Sequence, residues 1–151
     1  MIQVYADTSV FGGCFDDEFE EWSNKLMREF NLGLKTVVIS DLTLKELEGA
    51  PQYVRNLTRE IPEEHKECVI LNDDAKMLAR QYIADGAVSE RCLVDAQHIA
   101  IATINMVNVL VSWNFRHIVN LSRIRLYNSV NLKYGYPLLE IRSPREVLDE
   151  R

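Results

Sequence analysis

The chain has 151 residues and a mass of 17.5 kDa, enough for one globular domain of ~100–200 residues and cramped for two. Hydrophobic residues at 47% and charged ones at 26%, with 6 Gly and 4 Pro, exclude a disordered or fibrous chain. A net charge of −6 argues against indiscriminate binding of nucleic acid by the molecule as a whole.

Short β-branched runs alternate with helical patterns along the sequence, as in a parallel sheet covered by helices. Ile2 to Ala6 reads as the first strand. Residues 15–32 read as a helix, with Phe19, Trp22, Leu26, Met27 and Phe30 at helical spacing and Gly33 at the C-terminal cap. Thr36 to Ile39 is the second strand. Ser40 or Asp41 can cap the helix that follows through Leu42, Leu44 and Leu47, and Pro51 can open another through Val54 and Leu57. Cys68 to Leu71 is the third strand candidate. Asn72, Asp73 and Asp74 supply a cap and dipole-favoured charge for a helix running toward Ile83, with Gly86 past its end. Arg91 to Met106 is the most apolar helix of the chain, so it is expected to be buried on most sides. Val109 to Ser112 is the fourth strand, Asn114 begins an irregular or helical stretch through Leu121, and Leu138 to Ile141 is a candidate last strand. Ser143-Pro144-Arg145-Glu146 spells a capping box with proline at the first helical position. Without an internal repeat or linker, residues 1–151 read as a single domain. Met27, Met77 and Met106 fall on apolar helical faces and read as core.

The charge is unevenly spread. Residues 1–110 carry 10 Lys/Arg against 19 Asp/Glu, whereas residues 111–151 carry 7 against 4, so any polyanion is expected at the C-terminal quarter. Three widely spaced cysteines, Cys14, Cys68 and Cys92, suggest neither a disulfide framework nor a zinc ribbon and fit a reducing cytoplasm. The stretch up to Asp7 lacks the pattern of a secretory signal. The apolar run 99–115 is interrupted by polar residues and falls short of the ~20 needed for a membrane span.

In a parallel α/β sheet, ligands gather at the carboxyl ends of the strands. Asp7 follows Val4-Tyr5-Ala6 and brings the hydroxyls of Thr8 and Ser9; taken alone, it reads first as the N-cap of the next helix. Glu46, in Leu44-Lys45-Glu46-Leu47, lies at the edge of an apolar helix face, where surface charge is the simpler reading. Asp95 opens the most apolar helix. Burying its charge costs several kcal/mol without a partner, although a helix N-terminus favours it by ~0.3–1 kcal/mol. Asn114, two residues after Ser112, can offer a carbonyl oxygen to a hard cation or cap a turn. Together these residues bring three carboxylates and an amide to one edge, where like charges repel unless a divalent cation joins them. An oxygen-only donor set selects Mg²⁺ or Mn²⁺ over Zn²⁺.

The segments Val4-Tyr5-Ala6-Asp7-Thr8-Ser9, Leu44-Lys45-Glu46-Leu47, Val94-Asp95-Ala96-Gln97-His98-Ile99-Ala100 and Leu110-Val111-Ser112-Trp113-Asn114-Phe115-Arg116-His117-Ile118, in that order over about residues 2–142, resemble a PIN domain of the VapC toxin type. The resemblance implies a three-layer α/β/α sandwich around a mainly parallel five-stranded sheet. It also implies a metal-dependent endoribonuclease, a homodimer, and a small antitoxin protein that neutralises it. By motif position Asp7, Glu46 and Asp95 match the family's acidic metal-binding residues. Asn114 falls where many relatives carry a fourth acid and others carry Asn.

Phosphodiester hydrolysis needs an activated water and positive charge at the phosphorus, both of which Mg²⁺ supplies. Asp7 and Asp95 are expected to bind the ion directly. Glu46 is expected to bind it through water or to help deprotonate the nucleophile, and Asn114 to steer a second ion or the phosphate, with Thr8, Ser9 and Ser112 supporting from behind. Arg116, Arg123, Arg125 and Lys133 are candidates for flanking RNA phosphates, and Trp113, Tyr127 and Tyr134 for base stacking, with core packing the simpler duty for Trp113. His98, one turn after Asp95, reads first as hydrogen-bonded within a helix interface, His117 likewise, and His65 as surface. A phosphate-receiver domain is disfavoured, because Asp7 is not part of a DxD motif. A noncatalytic PIN-like module that binds RNA or protein is the alternative.

Overall fold

Alternation along the strands decides the layering. In the computed structural model, which describes residues 1–149, Val4 and Ala6 of β1 (Gln3–Ala6), Val37 and Ile39 of β2 (Thr36–Ser40), and Val109 and Val111 of β4 (Val109–Val111) face one side of the sheet. Tyr5, Val38 and Leu110 face the other. Helices α1 (Thr8–Gly13), α2 (Glu20–Asn31), α3 (Asp41–Leu47) and α4 (Gln52–Glu60) supply the apolar partners on the first side. Helices α5 (Asp73–Ala84), α6 (Leu93–Ile104) and α7 (Leu121–Lys133) supply them on the second. The result is the expected three-layer α/β/α arrangement. Glu150 and Arg151, the last two residues of the expected 1–151 domain, lie outside the described residues.

With β3 (Lys66–Val69) and β5 (Ile141–Arg142), the sheet runs β3-β2-β1-β4-β5 and every pairing is parallel. Tyr5 stands opposite both Val38 and Leu110, which centres β1. From β1 the chain builds outward to one side through β2 and β3, then crosses to the other for β4 and β5. The carboxyl ends of β1 and β4 therefore lie where the connections diverge, the position at which such sheets bind ligands.

Local chemistry sets the helix starts. Ser40, rather than Asp41, caps α3 by accepting from the Thr43 amide at 3.1 Å. Asn72 caps α5, and Ser143 with Glu146 closes the expected capping box on the short 3-10 turn Pro144–Val147.

Several expected boundaries move. The helix expected over 15–32 is α2 alone, beginning at Glu20. It is preceded by a turn in which Asp16 accepts from the Glu18 amide, and by α1, six residues with two glycines and too short for a periodic signal. Strand β3 starts two residues early, at Lys66, because the register to β2 and not its own mixed sequence sets an edge strand. Strand β5 is confined to Ile141–Arg142, and Leu138 is exposed. Helix α6 spans only Leu93–Ile104, after a 3-10 turn at Glu90–Cys92. Met27 is core, but Met77 and Met106 are exposed: α5 turns Met77 outward, and Met106 lies in the turn past the end of α6 at a φ of 50°. His65 is not open surface. Its Nδ1 lies 3.1 Å from the Asn31 carbonyl, and its ring fills the space beside Gly33, whose φ of 76° and lack of a Cβ permit the approach. No helix among the described residues is long and apolar enough to cross a membrane.

Candidate active site

Asp7 is the cap its position suggests, at the edge where β1 and β4 end. Its backbone leaves β1 in an extended conformation and its Oδ1 accepts from the Ser9 amide, capping α1. The same oxygen accepts from Ser9 Oγ at 2.6 Å, and Oδ2 accepts from Ser112 Oγ at 2.6 Å. Ser9 Oγ in turn accepts from the Trp113 amide and Ser112 Oγ from the Asn114 amide, both at 2.9 Å. The expected support by Ser9 and Ser112 is therefore a lattice of hydroxyls that stitches the end of β1 to the end of β4 around one carboxylate. Asp7 is 5% exposed. Burial pushes its carboxyl above the usual carboxylate range, against the lowering effects of His98 and of the Ser112 and Ser9 hydrogen bonds.

Asp95 stands in the first turn of α6, half-buried. Burial raises its pKa, and the nearby Asp7 raises it further, while His117, His98 and the Asn114 amide favour the ionised form. Asp7 and Asp95 thus feel each other's charge. Among the described residues no lysine or arginine pairs with Asp7, Glu46 or Asp95.

Glu46 is held by two hydrogen bonds to the same oxygen. Its Oε1 accepts from Thr8 Oγ1 at 2.7 Å and lies 2.6 Å from His98 Nε2. Burial opposes ionisation here, but the His98 and Thr8 hydrogen bonds outweigh it and hold the carboxyl below its ordinary value. Thr8 therefore supports Glu46 rather than Asp7. His98, 3% exposed, is hydrogen-bonded inside the helix interface as expected, yet its far nitrogen reaches the site.

Asn114 caps the turn that follows it. Its Oδ1 accepts from the Arg116 and His117 amides at 3.2 and 2.9 Å, so that oxygen is committed to backbone and not open to an ion. Among the described residues no three His, Cys, Asp or Glu side chains are arranged to hold a metal ion. The donor chemistry still fits Mg²⁺ or Mn²⁺. Mg²⁺ is commonly held by one or two carboxylates plus waters, and Asp7 with Asp95 is such a pair, hard, anionic and mutually repelling.

The expected RNA contacts divide. Arg116 and Arg125 are exposed. The Arg123 guanidinium is tied to the Ala87 carbonyl at 2.8 Å, and Lys133 pairs with Asp85 at 3.2 Å. Tyr127 is fully buried and donates to the His117 carbonyl, which removes it from base stacking, whereas Tyr134 stays exposed. Trp113 packs in the interior, stacked on Phe19 with centroids 4.2 Å apart, and its Nε1 donates to Ser23 Oγ at 2.8 Å.

Sequence reading missed Tyr5, Gly13 and Ser23 as supports of this edge. Gly13 carries a readable signal only in its neighbours. A Cβ there would lie 2.6 Å from Ser23 Oγ and 2.7 Å from Trp113 Nε1. Gly13→Ala is expected to break that hydrogen bond, push Trp113 off its seat and cost about 1–3 kcal/mol, measured by urea unfolding.

No protein-family model matches the sequence, and no curated protein is significantly similar to it. The fold does have a solved counterpart. The crystal structure of VapC20 from Mycobacterium tuberculosis, described as a sarcin-ricin loop cleaving toxin, superposes with a TM-score of 0.57 at 13% identity, over 76% of this chain and 92% of that one. With its five parallel strands between helical layers, the chain has the PIN-like fold of that structure.

Proposed function

We propose that this protein is a Mg²⁺- or Mn²⁺-dependent endoribonuclease and the toxin of a toxin–antitoxin pair, acting in the cytoplasm as a homodimer of single-domain chains and silenced by a small antitoxin protein. The observation that carries the reading is the Asp7 carboxylate, buried at the sheet's switch point, held by three donors and facing the repulsion of Asp95. A structural cap does not need a second acid beside it, and burying two carboxylates together with no lysine or arginine paired to either is costly. The fold shared with a toxin that cleaves the sarcin-ricin loop supports RNA as the substrate class.

Asp7 and Asp95 would hold the ion. When bound, it supplies Lewis-acid polarisation of the phosphate and a more acidic water. Ser9 and Ser112 fix the rotamer of Asp7, so its oxygens need no reorganisation as the ion arrives. Asn114 orients Asp95 and shapes the turn that presents Arg116. Glu46 keeps Oε2 outside the hydrogen bonds by which Thr8 and His98 hold Oε1.

The test is cleavage of a labelled single-stranded RNA by purified protein with Mn²⁺ or Mg²⁺. The reading predicts cutting that stops with chelator; RNA binding without cutting at any metal concentration would favour the noncatalytic module. Arg116→Ala and Arg125→Ala are each expected to reduce the slope of log affinity against log salt by about 0.7–1, the loss of one phosphate contact. Arg123→Ala, whose guanidinium serves the backbone, is expected to lower stability instead.

A further inference from the structure

A hydrogen-bonded line runs through the protein from β2 to Glu46. The Tyr5 hydroxyl lies 2.8 Å from Ser40 Oγ and 2.7 Å from His98 Nδ1, and His98 Nε2 lies 2.6 Å from Glu46 Oε1. Tyr5 and Ser40 are fully buried and His98 nearly so. The proton positions follow from what each atom can give. An ionised glutamate only accepts, so the Nε2 contact requires its hydrogen on the imidazole. At Nδ1 the ring's partner is the Tyr5 hydroxyl, and behind it Ser40 Oγ, 2.8 Å from the phenol oxygen, donates to Thr43 Oγ1 at 3.2 Å. Thr8 Oγ1 donates to the same Oε1 from the opposite side. Both anchors grip one oxygen, while the Glu46 side chain keeps 35% of its surface in solvent. Oε2 has no protein partner among the described residues.

We propose that Tyr5 and His98 are positioning residues: with Thr8 they clamp Glu46 by Oε1 so that Oε2 is presented to the water that attacks the RNA. The role of the clamped oxygen rests on the ribonuclease reading above. Thr8 adjoins Asp7 in sequence, and His98 follows Asp95 by one turn of α6, so the clamp is built from the same two segments that carry the acids. A side chain wanted only as surface charge needs no fully buried tyrosine behind its partner. Orienting shells of this kind are worth about 10–100-fold where they have been removed from metal sites.

Two measurements test it. Side-chain ¹H–¹⁵N correlation spectra of the metal-free protein near neutral pH are expected to show a proton on His98 Nε2, and Tyr5→Phe, which keeps the ring and removes the hydroxyl at Nδ1, to show that proton only in part. In single-stranded RNA cleavage, Tyr5→Phe and His98→Ala are expected to lower kcat by about 10–100-fold with KM unchanged. His98→Gln, whose amide can still donate to Glu46, is expected to recover most of the loss. A wild-type His98 with no proton at Nε2 overturns the clamp. So does a Tyr5→Phe kcat equal to wild type, or a Gln variant no better than Ala. Absence of cleavage by the wild type overturns the ribonuclease reading, and with it the role of Oε2; the spectra then still decide whether the clamp exists.

Discussion

Asp7→Asn is expected to abolish metal-dependent RNA cleavage and, in the same protein without metal, to raise the melting temperature. Both effects come from one placement. Burial holds the Asp7 carboxyl above the usual range, so the folded chain binds that proton more tightly than the unfolded chain does. The stabilisation belonging to the protonated form is complete below the unfolded value of about 3.9 and is lost as pH rises through the folded one. At neutral pH the ionised carboxylate is therefore a cost. Asparagine removes the charge and keeps the fit, since its oxygen can accept from Ser9 and its amide can donate to Ser112 Oγ. Each 1 kcal/mol so relieved raises the melting temperature of a chain this size by about 2–4 °C. The cost in catalysis is larger. Losing a direct anionic ligand is expected to reduce cleavage by ~10³-fold or more, equivalent to about 4 kcal/mol of transition-state stabilisation. Asp95→Asn is expected to behave in the same way. Cleavage by either variant within tenfold of wild type, or a lower melting temperature for Asp7→Asn, would contradict the account.

Lys35→Ala carries the largest expected loss of stability. Lys35 is 2% exposed, yet its Nζ reaches Glu29 Oε1 at 2.5 Å and Asp149 Oδ1 at 2.9 Å, and the Asp149 amide donates to Glu29 Oε2. Burial works against the ammonium, but these carboxylates outweigh it and keep its pKa above the ordinary lysine value. The pairing is thus intact at neutral pH, and its stabilisation is lost only as pH climbs beyond about 10.4 and through the folded value. The cluster ties α2 to the segment after the Pro144–Val147 turn. Removing the cation leaves Glu29, itself 9% exposed, without its counter-charge, at a cost of about 3–5 kcal/mol. The melting temperature is expected to fall by about 6–20 °C. Lys35→Met combined with Glu29→Leu should cost much less, because it removes both charges and fills the same space. A loss below about 1 kcal/mol for Lys35→Ala would show the pair behaving as a surface salt bridge.

Much of the fold could be read from the sequence because its central strands are buried on both faces. Val4-Tyr5-Ala6, Val37-Val38-Ile39 and Val109-Leu110-Val111 are continuous apolar runs that admit little else between helical patterns. The edges were harder. Strand β3 carries Lys66 and Glu67, and β5 has two residues, so pairing rather than propensity defines them. Helix α1 hid for the opposite reason, since six residues show no period and its start is set by the Asp7 cap. At the site, Asp7, Glu46, Asp95 and Asn114 all come to the edge where the strands end, as their positions after strands implied. Their division of labour could not be read. It depends on which oxygen meets which donor, and the partners are remote in sequence: Glu46 with Thr8 and His98, Asp7 with Ser112. Arg123 and Lys133 looked as free as Arg116 and Arg125 until the fold supplied a carbonyl for one and Asp85 for the other.

The central claim is that Asp7 and Asp95 together bind one hard divalent ion. Mn²⁺ titration followed by electron paramagnetic resonance measures that directly, because the free-ion signal is quenched on binding. The account predicts uptake of one Mn²⁺ per chain by the wild type and loss of that uptake in both Asp7→Asn and Asp95→Asn. Equal uptake by all three proteins, or none by the wild type, would contradict it.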